Sequence, residues 1–236
     1  MSFTNSTVLI TGVGRAGQVG EAVARAFGEQ GAALLLVSRD AAEATARAEA
    51  LSAGGVRATA YECDLTDPPA VAELADRVRR AHGGRLQALV NVAGGFAMSG
   101  PVANSDLAVW QRMLANNLTT AYIASRAFLP MVRAARGAIV FFASEAALPG
   151  ARLAEMSAYA AAKSAVVILM QTIAQEERRN GVRSNAVAPS TIRTLDNERA
   201  MGSDARYVER ADVASAVVYL CSDDARAVTG QVLRLS

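Results

Sequence analysis

The sequence predicts an α/β fold, a single doubly wound parallel sheet of about seven strands with helices on both faces. Three observations carry this. Short runs of β-branched and aliphatic residues alternate with longer segments of 3.6-residue periodicity, the runs are almost continuously apolar, and a glycine-rich turn joins the first run to the first helical segment. Strands are read at 7–11, 33–37, 56–61, 86–91, 138–144, 182–187 and 231–235. Between them lie helical patterns such as Ala22, Val23, Ala26 and Phe27. No internal repeat or Pro/Ser-rich linker interrupts the alternation, so residues 1–236 are read as one domain.

With 236 residues, 52% apolar and 19% charged, the chain can bury one substantial core. Its net charge of +2 comes with scattered arginines and no basic run, which argues against nucleic acid as a partner. No leader precedes the first strand and no apolar stretch reaches 18 residues, so a soluble cytoplasmic protein without a membrane partner is expected. Cys63 and Cys221 lack metal spacing and read as reduced, buried thiols. The single His82 is read in a polar, Gly-flanked turn, which leaves no histidine dyad or metal site.

Two stretches carry chemistry. Gly12, Gly14 and Gly17 follow the first strand and precede a helix, where glycine lets the backbone approach a pyrophosphate and presents a helix N-terminus to its charge. Further on, Tyr159 and Lys163 stand at i and i+4, one above the other on a helix. A phenol working near neutral pH needs about three pKa units, or about 4 kcal/mol, from its surroundings. One ammonium at about 5–6 Å supplies about 3 kcal/mol at an effective dielectric near 20. The oxidised nicotinamide of a bound cofactor would supply the remaining charge.

Taken together, these stretches resemble the short-chain dehydrogenase/reductase family, most closely the 3-oxoacyl-ACP reductases within it. The family's TGxxxGxG turn is matched by Thr11-Gly12 and by Gly20-Glu21-Ala22-Val23-Ala24, with two extra residues between and Gly17 one position from the middle glycine. Gly12, Gly17 and Gly20 are therefore assigned to the dinucleotide. Asp64, after the third strand, matches the acid that bonds the adenine amino group. Asn91-Val92-Ala93-Gly94 resembles NNAG, which places Asn91, Ala93 and Gly94 beside the cofactor, with Asn91 satisfying backbone groups at the strand end. Around 185–194 the chain is close to NxxxPGxxxT, so Pro189 and Thr194 are expected at the nicotinamide, Thr194 on its carboxamide.

The resemblance implies a Rossmann fold and a hydride transfer between nicotinamide C4 and a carbonyl carbon. Tyr159 would act as general acid/base, Lys163 would hold the ribose and lower the tyrosine pKa, and Ser144 would polarise the substrate oxygen, with Ser157 as its fallback. Asn117 of the motif Asn117-Leu118 would kink the helical segment read from about 106 to 133 and relay protons. Where NAD-binding relatives carry an acid, this chain has Ser38 followed by Arg39, which favours NADP(H), with Arg15 as a possible helper and Asp40 as a solvated residue or helix cap.

The segment 195–207 is read as a short substrate lid. Phe96, Met98, Leu148, Leu153 and Met156 are candidate walls for a small carbonyl or alcohol substrate, and Arg152 a candidate contact for an anionic one. Val166, Val167 and Met170 read as core or as the seam of a homodimer or homotetramer. A ketone or 3-oxoacyl reductase is the leading expectation. A dihydropteridine-type reductase, from the likeness at 197–201, and a non-catalytic NADP(H) sensor are the alternatives.

Overall fold

The computed structural model describes residues 2–236. Its seven strands, β1 (Thr7–Thr11), β2 (Ala33–Ser38), β3 (Arg57–Glu62), β4 (Ala88–Asn91), β5 (Ala138–Phe142), β6 (Arg183–Pro189) and β7 (Val232–Leu235), form one parallel sheet in the order β3-β2-β1-β4-β5-β6-β7. Chain order reverses at β1, which pairs with β2 on one side and β4 on the other. The crevice this opens beyond the carboxyl ends of β1 and β4 is where such sheets bind ligands.

Both faces are covered, which explains the continuous apolar strands. In β1, Val8 and Ile10 face a core with Val23 and Phe27 of α1 (Val19–Glu29) and with Val213 and Val217 of α8 (Arg210–Cys221). Leu9 faces the opposite core, with Leu74 of α3 (Pro68–His82), Phe128 of α5 (Thr120–Ala135) and Val166 and Met170 of α6 (Ser157–Glu176). Local signals set the helix ends. Asp40 accepts from the Glu43 N–H to cap α2 (Ala41–Ala53), Asp106 caps α4 (Leu107–Leu114), and α3 starts on Pro68 and stops at left-handed Gly83.

The helical stretch expected at 106–133 is interrupted. Between α4 and α5, residues Ala115–Thr119 form a π turn in which the Thr120 N–H reaches back to the Ala115 carbonyl. His82 is not in a turn but ends α3, with Nε2 2.8 Å from Tyr61 Oη. Helix α6 corrects a further expectation: by length and composition it is apolar enough to cross a membrane. Its Val166, Met170 and Ile173 are nonetheless buried in the core beside the sheet. Cys63 and Cys221 are free, buried thiols that burial pushes up to about 11 and about 12.

Helices α5 and α6 are tied at their far ends. Arg133 donates through Nε and Nη2 to the two carboxylate oxygens of Glu177, at 2.9 and 2.5 Å, and Glu177 is almost fully buried. This pairing holds the Glu177 carboxyl below its ordinary value. Its contribution is present above the unfolded carboxyl pKa and is lost as pH falls through the folded value. Arg133→Met should cost about 1–2 kcal/mol at pH 7, because Arg133 is half exposed, and less as pH falls below the ordinary carboxyl range, as read from urea midpoints; a loss that does not shrink toward acid pH would refute the pairing.

Candidate active site

The turn after β1 is held by short-range and long-range contacts together. Thr11 Oγ1 donates to the Val90 carbonyl and accepts from the Ala93 N–H, clipping the turn to the end of β4. Gly12 has φ +73°, and a Cβ there would stand 2.7 Å from Ala93 Cα, so only glycine fits. The Gly17 N–H is taken by Glu21 Oε2 at 2.6 Å, and Glu21 is itself paired with Arg47.

Gly12, Arg15, Gly20, Ser38, Arg39, Asp64, Ala93 and Gly94 line one crevice of about 300 Å³ at the point where strand order reverses. Glu43 and Thr120 share the lining. Sequence reading passed over both, although the spacing Asp40-x-x-Glu43 at a helix start was a legible signal for the first. The bare backbone of the turn and of Gly94, at the carboxyl ends of parallel strands, fits a dinucleotide. A larger concavity of about 580 Å³ opens elsewhere, lined by Arg136, Arg183 and Arg226 and by none of the expected site residues.

Several residues sit where expected with different partners. Arg15 pairs with Asp196 at 2.6 Å instead of being free for a phosphate. Asp64 Oδ1 accepts from the Thr66 N–H and hydroxyl, which lowers its carboxyl pKa, and the charge of Arg39 lowers it further. Asn91 does not bond backbone groups. Its amide donates to Ser125 Oγ on α5, and its Oδ1 is buried without a protein partner. Pro189 ends β6, and Thr194 caps α7 (Leu195–Met201) through the Asn197 N–H.

Helix α7 lies against the turn. The Leu195 N–H donates to the Gly17 carbonyl, and a Cβ on Gly17 would fall 2.3 Å from Leu195 Cδ1. Arg193 pairs with Glu198 and Glu209 and stacks over Tyr207, whose hydroxyl donates to the Asn197 and Gly202 carbonyls.

Outside the crevice lining but next to its Gly94, four polar side chains converge from three elements. Lys163 is buried on α6 and donates to the Phe142 carbonyl at the end of β5, 2.7 Å away. Its Nζ lies 5.8 Å from the Tyr159 ring centre. Ser144 follows β5, accepts from the Ala146 N–H and lies near enough to the Tyr159 hydroxyl to lower its pKa. Ser157, the alternative serine, is turned away to Ser99 at 3.1 Å. Asn117 sits in the π turn, with Oδ1 accepting from the Gly95 N–H and Nδ2 donating to the Gly95 and Met113 carbonyls. A Cβ on Gly94 would stand 2.6 Å from Asn117 Oδ1 and 3.4 Å from Lys163 Nζ, so Gly94 joins this cluster to the crevice. Phe96 packs edge-on against Tyr159, with ring centres 5.0 Å apart.

Burial raises the Tyr159 phenol above its ordinary value, with the neighbouring Ser144 acting in the other direction. Lys163 is shifted by burial as well. Burial pushes its ammonium down from 10.5 to about 8, and its proton is directed at Phe142. Between those values the unfolded chain binds the extra proton, so this lysine makes stability rise with pH from about 8 to 10.5. Lys163→Met should flatten that rise and stabilise the protein by about 1–2 kcal/mol at pH 7, less than the full shift because the Phe142 carbonyl loses its donor. An unchanged pH slope in urea titrations would rule this out.

Comparison with known proteins gives the family. The profile described as Enoyl-(Acyl carrier protein) reductase matches residues 12–235. The 2-(S)-hydroxypropyl-CoM dehydrogenase 3 of Xanthobacter autotrophicus is 36% identical over 245 residues, covering 96% of this chain and 93% of that one. A short-chain type dehydrogenase/reductase from Mycobacterium ulcerans superposes with a TM-score of 0.87 at 32% identity, over 99% of this chain and 89% of that one. An NAD+-bound xylitol dehydrogenase superposes at 0.89 and 27% identity, over 99% and 98%. The chain belongs to the short-chain dehydrogenase/reductase family and is an oxidoreductase that binds a nicotinamide dinucleotide and works between hydroxyl and carbonyl groups.

Proposed function

We propose that the protein reduces a small ketone or 3-oxoacyl group with NADP(H), or runs the reverse oxidation, with Tyr159 as the general acid/base. The observation that supports this most is the meeting of Ser144, Tyr159, Lys163 and Asn117 beside Gly94, which lines the same crevice as Ser38 and Arg39. When bound, the dinucleotide supplies or accepts the hydride at nicotinamide C4. Gly12, Gly17, Gly20, Asp64, Asn91, Ala93, Gly94, Pro189 and Thr194 form its cradle, and Arg39 answers a 2′-phosphate.

The chain's own residues handle the proton. Ser144 stands beside the Tyr159 hydroxyl, and both present their hydroxyls to the substrate oxygen. Tyr159 gives that oxygen its proton during reduction. A phenol raised by burial is a stable donor, and the reverse reaction needs positive charge beside it. Lys163, poised near 8 by burial, holds the nicotinamide ribose and exchanges protons on the way to solvent through the π turn that carries Asn117.

The substrate side is apolar. Phe96, Met98, Leu153 and Met201 are 58%, 49%, 47% and 56% exposed, more than core residues would be. With the Xanthobacter relative named for a 2-hydroxypropyl group, a secondary alcohol and its ketone are the class favoured. Segment 195–207, anchored to the turn through Leu195 and Asp196, acts as the lid. Val166 and Met170 are core, so a homodimer or homotetramer in the cytoplasm would use exposed Ile168 instead.

Tyr159→Phe should keep dinucleotide affinity within about twofold while lowering kcat about 10²- to 10⁴-fold against a panel of diketones, 3-oxoacyl thioesters and quinonoid pterins. Retained turnover in the variant would refute the assignment. Turnover of the pterins alone would move the substrate class, and dinucleotide binding without turnover of any substrate would favour a sensor.

A further inference from the structure

We propose that Glu43, which none of the motifs singles out, sets the choice between the two dinucleotides by holding a carboxylate against the ribose wall of the crevice. The proposal rests on the reading of this crevice as the dinucleotide site. The point where a Cβ on Gly14 would stand is 2.6 Å from Glu43 Oε2 and 2.9 Å from Ser38 Oγ. The carboxylate and the hydroxyl thus close around the same bare stretch of the turn, and all three residues line the crevice.

Glu43 is fixed there by the helix start, since Asp40 Oδ1 accepts its N–H at 2.9 Å, while the Asp40 N–H goes to Ser38 Oγ at 3.3 Å. Its carboxylate has no hydrogen bond or ion pair among the described residues, unlike Glu21 nearby, which is held by Gly17 and Arg47. Of the two cations that would welcome a phosphate, only Arg39 has no ion pair among the described residues. Arg15 is paired with Asp196, and the charge of Arg39 acts on Asp64.

The consequence follows from donor and acceptor chemistry. A ribose cis-diol donates hydrogen bonds that a carboxylate accepts, whereas a 2′-phosphate brings a second anion to the same wall. Ser38 lacks the acid that NAD-binding sheets carry at this strand end, and Glu43 supplies one from the first turn of the next helix. It therefore opposes the preference for NADP(H) given by Ser38 and Arg39 and keeps the crevice open to NAD(H).

Titration calorimetry of the full-length protein with NADH and NADPH tests this in the unmutated chain, Glu43→Gln and Arg39→Ala, with thermal melting to establish that each is folded. Glu43→Gln should tighten NADPH about tenfold and leave NADH unchanged or weaker. A ratio of the two affinities within twofold of the unmutated protein's would overturn the proposal. Arg39→Ala separates this from the underlying reading: it should weaken NADPH alone, and equal effects on both dinucleotides would remove Arg39 from the 2′ position while leaving the Glu43 result standing. An unmutated protein that binds neither dinucleotide would overturn the crevice assignment and the proposal with it.

Discussion

Much of the site depends on a buried ammonium bonded to a strand-end carbonyl. Lys163 reaches out of α6 to the Phe142 carbonyl, the last of β5, and this bond fixes helix to sheet at the point where Ser144 leaves the strand. A charge this deep is tolerable only with a partner, and the partner here is backbone, so no side-chain carboxylate sits beside it to neutralise it. The lysine is left near 8, close enough to neutrality to change charge during a reaction.

Around that bond the structure trades regularity for placement. The π turn between α4 and α5 breaks helix periodicity to bring Asn117 onto Gly95 from both sides of its amide. Gly94 and Gly12 remove side chains where the strand ends, the turn and the polar cluster approach within 3 Å of one another. These departures fall beside the crevice. This is the pattern expected when a stable core carries locally unfavourable geometry at a working site.

The crevice also shows how partners redistribute the meaning of a charge. Read one residue at a time, Arg15 and Arg39 make a cationic pocket. In the fold, Asp196 takes the first, while Arg39 has no ion pair and Glu43 faces the turn without a partner among the described residues. The segment that takes Arg15 is also the one that covers Gly17, so an ion pair, a backbone hydrogen bond and the Leu195 side chain together join it to the turn.

What the sequence determined alone was whatever depends on neighbours a few residues apart. Apolar runs and helical periods foretold all seven strands to within a few residues, Asp40 was legible as a cap, and the i, i+4 spacing put Tyr159 and Lys163 on one helix. Tertiary structure alone decided whatever joins residues far apart in the chain. Lys163 finds Phe142 rather than a carboxylate, Asn91 finds Ser125, Ser144 rather than Ser157 meets Tyr159, and Glu43 meets Gly14. The reason is that periodicity reports which face a side chain takes, whereas its partner and the pKa that follows depend on which distant elements the packed sheet brings to that face.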